Sequence, residues 1–528
     1  MTLSRERQTQ WVPVVLLAAA ALFALLLAAP GQTVTTAYLN DLFIFLDGAH
    51  RIASGQVPNR DFHTALGPLS FYVPALGYWI SGSMGGAMPA AMAAMTVGLA
   101  LPIIHILGSR LRPVVAIPYG VFLLLIVAVP INLGESIASL SFAMFYNRIG
   151  WTALSTLLVM YLRPEQTRGQ QDVLDALCAA VLTLTMLYTK LTYGLVALGS
   201  LAFMVFDSRQ RRWVLWALGV IALAVLTIEL FWHSSLSHLE DLALAGQVSG
   251  TKGIVDLASS FLGHLRDYLL LAIFAIMVLW RTRSLRHLLF FGICAFPGLL
   301  IHSQNSQAWG IITLFAGAAV ATEILLRFGM PTGRKGNRTL NIGAPLLLLA
   351  FLLSTSLYCF MALGLHTIAA VTRMGEPFGL PRFNELRLTT LWVPGDRTFV
   401  ADYLTSIREG ARLLGELPVK PENVSVLDFA NPFSAGLGLP PSRGDYAWLH
   451  WGRNIDDRHH LPPKELLGNV DILMVPKDGI NDAPLRQLYG AYIREAFVAI
   501  RETDRWVVHR RRDAKMLSNL GRSSEHDH

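Results

Sequence analysis

The residues NDLFIFLDGAHRIASGQVPNRDFHTALGPLSFY, Asn40 to Tyr72, come shortly after the apolar run WVPVVLLAAAALFALLLAAP at 11–30. A run of about 20 apolar residues suffices to cross the hydrocarbon of a bilayer. A loop that only joins two spans is short and bland. This one carries Asp41, Asp47, His50, Arg51, Arg60 and Asp61, and then turns through Gly67-Pro68 into aromatics. Ionisable groups gathered where a chain leaves a membrane point to chemistry at that surface.

Composition agrees with a chain built mostly of spans. Hydrophobic residues make up 53% and charged residues 15%, against about 25% charged in soluble domains. Mean hydropathy is +0.46. Arg5 and Arg7 precede the first run as they would in a secretory signal. The run has no convincing small-residue cleavage site and many apolar segments follow, so it reads as an uncleaved anchor. Cys178, Cys294 and Cys359 all lie inside apolar runs, where thiols behave as small hydrophobes and imply no disulfide framework.

Apolar segments at 11–29, 88–107, 113–130, 149–162, 173–189, 192–206, 213–232, 267–280, 287–301, 309–326 and 343–363 predict a polytopic α-helical protein of about eleven spans. Basic residues mark the cytoplasmic loops of such proteins. Arg5 and Arg7, Arg110 and Arg112, Arg163 and Arg168, 208–212, 281–286 and 327–338 all fall on one side of this arrangement. The opposite side holds the opening stretch, the loop before Arg148, the turn at Lys190, 233–266 and HSQNSQAW at 302–309. LSFYVPALGYWIS at 69–81 is too short to span and reads as an interfacial helix on that outer side. From about residue 365 charge rises and short β-patterns appear, VSVLDF, VDILMVP and RWVVHRR, between helical pieces such as TFVADYLTSIREGARLLGEL. The expected domains are a membrane domain at 1–364 with its first outer loop at 31–87, a small α/β domain at 365–515 and a disordered tail at 516–528. The N-terminus is expected in the cytoplasm and the C-terminal domain in the periplasm of a bacterial inner membrane protein.

The net charge of +7 sits mostly in cytoplasmic loops, where it sets topology and meets anionic lipid. It is no nucleic-acid signature. No Walker A, dinucleotide glycine fingerprint, HExxH or paired CxxC occurs, so ATP, dinucleotide and zinc chemistry lose their usual support.

The stretch DLFIFLDGAHRIASGQVPNRDFHTALGPLSFYVPAL at 41–76 resembles the first outer loop of GT-C type glycosyltransferases, which use polyprenyl-phosphate-linked sugars. Lipid A aminoarabinose transferases and protein O-mannosyltransferases belong to that group. The resemblance lies in Asp41, the helix that follows it, GQVPNRDF at 55–62 and GPLSFY at 67–72, with the layout of many spans and an extracytoplasmic C-terminal domain. Relatives often carry a second acid directly after the first, where this chain has Leu42. An Asp is frequent in their second outer loop, where this chain has Asn147. Those two departures weaken any role for a divalent metal held by paired acids, and no cofactor is called for. The resemblance implies an inverting transferase with a polyprenyl-phosphate sugar as donor and an envelope glycan, lipid or protein as acceptor.

Such a transfer needs a base for the acceptor hydroxyl and cations for the departing phosphate. Asp41 matches the acid of the resemblance; its structural alternative is a carboxylate favoured by the helix N-terminus. Asp47 is the second base candidate, six residues on and about 120° around a helix of 3.6 residues per turn. It stands at i+3 and i+4 from His50 and Arg51, which suggests a solvated helix pair instead. Asp61 is expected to fix the loop by pairing with Arg60.

Arg60, Arg148 and Lys190 are the phosphate candidates. Lys190 puts one charge at the turn of an apolar hairpin and resembles a Lys near the lipid-phosphate site of GT-C enzymes, but a lysine there also snorkels. The alternative for Arg148 is a span-end anchor beside Tyr146 and Trp151. His302 and Asn305, with Gln304 and Gln307, suit sugar hydroxyls or simply satisfy a turn. His233, His238 and His264 lack close ligand spacing. Trp448, His450 and Trp451 suit stacking on a sugar face or membership of a core. Two other classes remain open: a transporter or flippase of lipid-linked sugars, which tends to carry ionisable groups near the bilayer midplane, and a non-catalytic envelope assembly factor that keeps the scaffold.

Overall fold

The computed structural model describes residues 2–165, 169–250, 253–304, 307, 310–328, 335–391, 396–418 and 420–512. The chain divides into two compact units, one of 1–37, 88–230 and 252–373, the other of 38–87, 231–251 and 374–528.

The first unit is helical, and every one of the apolar segments read from the sequence lies on a helix. Their lengths differ. Six helices among the described residues are long and apolar enough to cross a membrane, seven if the bent pair Ile254–Gly263 and Leu265–Thr282 counts as one span. The expected eleven is therefore not the number that meets the test. Pro113–Ala128, Phe145–Val159, Leu191–Val205 and Ile312–Phe328 run 16, 15, 15 and 17 residues. At about 1.5 Å per residue they fall short of the ~30 Å of hydrocarbon.

Two of these short helices are inner ones. Phe145–Val159 is buried along its whole length, and Ile312–Phe328 from Ile312 to Leu326. Small residues in LFAGAAVAT allow this, since they let neighbouring backbones approach. A Cβ on Gly317 would stand 2.7 Å from Leu271 and 3.3 Å from Cys294. The helices Leu265–Thr282, Leu285–Ser303, Phe145–Val159 and Lys335–Val371 all pack on Ile312–Phe328.

The basic loops of the first unit are tied to one another by acids. Arg163 and Arg286 both pair with Asp207, at 2.7 and 2.6 Å. Arg110 holds Asp175 at 2.6 Å, and Arg327 holds Glu323 at 3.0 Å. Glu165 donates its N–H to the carbonyl of Ser109, and Arg327 reaches the carbonyl of Arg163. The loops after Arg110, Arg163, Asp207 and Arg283 thus meet at one end of this unit, as alternate loops of a membrane bundle must. Reporter fusions at 335 and 450 are expected to report opposite compartments, cytoplasmic and extracytoplasmic. The same compartment for both would overturn the topology.

The second unit holds a four-stranded sheet in the order Val424–Val426, Ile472–Pro476, Trp506–Arg511, Phe497–Glu502. The first pair is parallel, Val424 opposite Ile472, and the others antiparallel. Three of the strands are those read from VSVLDF, VDILMVP and RWVVHRR. Phe497–Glu502 was not foreseen, because it starts directly where the helix Asp482–Ala496 ends, with no turn residue between them. Leu427, Leu466, Val470, Leu473, Leu485 and Tyr489 build the core on this sheet.

The outer loop forms the two expected helices, Leu39–Ala53 and Leu69–Ser81. The first is no surface element: Leu39 and everything from Leu42 to Ile52 is buried. Phe43 packs on Phe378, Phe383 and Tyr403 with ring centroids at 5.0, 5.6 and 6.2 Å. Gly48 lets the two helices close up, since any Cβ there would run into the Phe71 ring. Leu69–Ser81 buries Phe71, Val73 and Ala75 and leaves Leu76, Trp79 and Ile80 exposed. The spacing i, i+3, i+4 puts these three on one apolar face.

Candidate functional site

In the second unit Asp41 sits in the first turn of Leu39–Ala53 and remains partly exposed. Burial pushes its carboxyl up to about 6, against the opposing pull of the Arg453 guanidinium. Arg453 lies over the Trp448 ring at 5.6 Å. Trp448, His450 and Phe429 form one ring cluster, with centroids 5.3 to 6.0 Å apart. Asn454 pins their turn by accepting from His450 N–H at 2.7 Å and donating to the Trp448 carbonyl at 2.6 Å. Trp451 turns the other way and packs against the sheet core.

Asp47 does not stand on a solvated face. It and Arg51 are fully buried, with Arg51 Nε donating to Asp47 at 2.6 Å. The remaining guanidinium nitrogens reach Asp445 at 2.7 and 3.1 Å and the Ser442 carbonyl at 2.9 Å. Ser425 and Ser442 hydroxyls also donate to Asp445, at 3.1 and 2.5 Å. Asp47 has no exposed surface and its Oδ1 has no hydrogen-bond partner among the described residues, so the solvated helix pair expected here is corrected to a buried one. The pairing with Arg51 forms, but its environment is a core and not water.

Arg60 pairs with Asp61 at 2.8 Å, and Asp61 also accepts the Val57 N–H at 2.8 Å. Arg60 is thereby held to its own loop. Asp241, on the helix Ser235–Ser249, accepts from Asn59 at 2.8 Å, from the Thr64 N–H at 3.0 Å and from His63 Nδ1 at 2.7 Å. Sequence reasoning passed over this group. Its one signal was the spacing of His238, Asp241 and Ala245, which marks the buried face of that helix.

In the first unit Arg148 is 1% exposed. Its Nη1 donates to the Ile131 carbonyl at 2.6 Å, while among the described residues Nε and Nη2 are buried with no hydrogen-bond partner. Neither amide atom of the neighbouring Asn147 has a partner among the described residues. Lys190 separates the helices Gln171–Thr189 and Leu191–Val205, and its Nζ lies over the Tyr146 ring at 5.7 Å. Gly150 allows this approach: a Cβ there would stand 2.8 Å from the Tyr193 ring. Arg148 and Lys190 therefore belong to one packed region.

The polar turn after Leu285–Ser303 closes on the same helices. Gln307 accepts the Trp151 indole N–H at 2.9 Å, and Gln304 accepts the Thr192 hydroxyl at 3.0 Å. His302 is held by Ser260 at 2.9 Å and lies 4.2 Å from the His264 ring. Asn305 lies outside the described residues. Among the described residues no three His, Cys, Asp or Glu side chains gather as metal ligands. His238 belongs to the second unit and His264 to the first.

No known family's sequence profile matches the chain, and no curated protein matches it. The chain is similar to two crystal structures of ArnT from Cupriavidus metallidurans. One is bound to undecaprenyl phosphate, at 15% identity and a TM-score of 0.47; the other is in the apo state, at 14% and 0.46. Each comparison covers 95% of this chain and 98% of the other. The chains superpose loosely, so the roles of individual residues rest on this chain's own geometry.

Proposed function

We propose that the protein is a GT-C type membrane glycosyltransferase that takes a sugar from a polyprenyl phosphate. The acceptor would be an envelope glycan, lipid or protein on the periplasmic side of a bacterial inner membrane. The observation that carries this reading is Arg148. A buried guanidinium with two unpaired nitrogens and no acid paired to it among the described residues is costly to keep unless an anion joins it. A phosphate with its three oxygens is the anion such a fork fits best. Lys190 supplies a second cation in the same region.

The chemistry assigned to the chain is then brief. The Asp41 carboxylate takes the proton of an acceptor hydroxyl, whose oxygen attacks the anomeric carbon. The bond from that carbon to the phosphate oxygen breaks, and the polyprenyl phosphate leaves as an anion. Phosphate leaves well, so no general acid is required.

Replacing Arg148 or Lys190 by Gln is expected to weaken donor binding or slow turnover about ten- to a hundredfold, the loss of one charge-assisted hydrogen bond. Binding of a polyprenyl-phosphate sugar to the purified variants measures this, with expression as the control. A change below about twofold at both positions would return both residues to anchoring roles.

A further inference from the structure

We propose that Asp241 and His63 form a proton-operated latch that positions the outer loop 57–66, and through it the helix that carries Asp41. His63 bridges two acids. Its Nδ1 meets Asp241 at 2.7 Å and its Nε2 meets Glu465 at 3.4 Å. Asp241 is 8% exposed, and besides His63 it holds both ends of the turn, Asn59 at 2.8 Å and the Thr64 N–H at 3.0 Å. Asn59 itself sits at φ +65°, a left-handed conformation that a non-glycine residue keeps only when its surroundings hold it. Ser234, one residue ahead of the same helix, donates to the Pro58 carbonyl at 2.9 Å.

The loop is in turn stitched to the segment that anchors the Asp41 helix. His63 N–H donates to the Asp445 carbonyl at 2.9 Å, Ala447 N–H to the His63 carbonyl at 3.1 Å and Gly444 N–H to the Asp61 carbonyl at 2.8 Å. Asp445 is the carboxylate that grips Arg51. One continuous set of hydrogen bonds therefore runs from Asp241 through His63 to the helix Leu39–Ala53. No group in it touches a reacting atom; Asp241 and His63 act by holding others in place.

Protonation decides how firmly the latch holds. The protonated imidazole hydrogen-bonds Asp241 through Nδ1 and attracts Glu465 by charge; the neutral ring can keep the Nδ1 bond but loses the charge attraction to both acids. The groups around His63 are Asp241 and the buried His238 on one helix, Glu465 on another, and Asp445 and Tyr446 on the segment beside it. Burial on its own would depress the His63 pKa. The hydrogen bond and charge of Asp241, with the charges of Glu465 and Asp445, outweigh it and raise the value above 6.5. For a raised histidine the sign is fixed: the stabilisation is complete below the unfolded value and is lost as pH rises through the folded one. The latch is thus closed below the ordinary histidine range and loosens as pH rises above it.

Hydrogen–deuterium exchange of the full-length protein in detergent tests this without reference to activity. After correction for intrinsic chemistry, protection of 57–66 in the wild type is expected to fall about tenfold as pH is raised from below the ordinary histidine range to well above it. His63→Gln keeps a donor but cannot titrate, so its protection should not change with pH. Asp241→Asn should move the fall to lower pH. Glu465→Gln, at a more exposed position, is the variant that keeps the fold if Asp241→Asn does not, and should shift the fall the same way by less. Wild-type protection that is flat with pH, or His63→Gln following the wild type, overturns the latch.

The positioning role rests on the glycosyltransferase reading, and transfer is measured apart. Loosening should raise the acceptor KM with pH in the wild type and not in His63→Gln. Transfer from a polyprenyl donor with a pH-insensitive loop would sink the latch alone; a pH-sensitive loop without transfer would sink the transferase reading alone.

Discussion

Asp41→Asn is expected to abolish sugar transfer while leaving donor binding and expression near the wild type. The substitution keeps the shape of the side chain and removes the base. The environment of Asp41 also sets a pH dependence. Burial raises the carboxyl to about 6, which makes it a stronger base than an ordinary aspartate but protonates it in mild acid. Since the ionised form is the active one, kcat/KM should rise as pH climbs through about 6. In vitro transfer from a polyprenyl-phosphate sugar, across that range, reads both effects. Full activity in the Asn variant would remove the catalytic assignment. Asp47→Asn serves as the comparison and should be milder, because Asp47 is buried and paired with Arg51.

Arg51→Ala is expected to produce the largest loss of stability. It would leave two carboxylates, Asp47 and Asp445, buried without their shared cation. Removing one partner from a buried ion network costs about 3–5 kcal/mol, enough to unfold many domains. The loss should appear as a lower melting temperature in detergent and reduced yield of folded protein. Asp47→Asn should cost less, about 1–3 kcal/mol, because Arg51 keeps Asp445 and an amide oxygen still accepts. Equal melting of Arg51→Ala and wild type would show that the network does not hold the unit together.

Local pattern made much of the architecture legible. Apolar runs marked the helices of the first unit, since burial or lipid contact on every side requires apolar residues on every side. The alternation of basic loops placed Arg110, Arg163, the stretch at 208–212 and Arg286 together, and the ion pairs to Asp175 and Asp207 place them so in the structure. Gly55, Pro58 and Gly67-Pro68 announced the turns ahead of the helix Leu69–Ser81. The strand Phe497–Glu502 escaped, because a strand that begins on the last residue of a helix carries no punctuation.

What the sequence by itself determined is the set of elements and the chemical types available: a helix carrying Asp41, Asp47 and Arg51, a polar turn after it, and cations at the ends of apolar segments. These are properties of neighbours a few residues apart, and periodicity and turn chemistry report them. Only the tertiary structure decided the environment of each charge. Asp47 and Arg51 look alike on paper whether they face water or a core. The third member of their network, Asp445, stands 394 positions from Arg51, and the acid that holds His63 stands 178 away. Burial and ion pairing depend on which distant segments pack together, a global property that no short window contains. The same packing leaves two nitrogens of Arg148 with no partner among the described residues, while it closes Arg51 over Asp47.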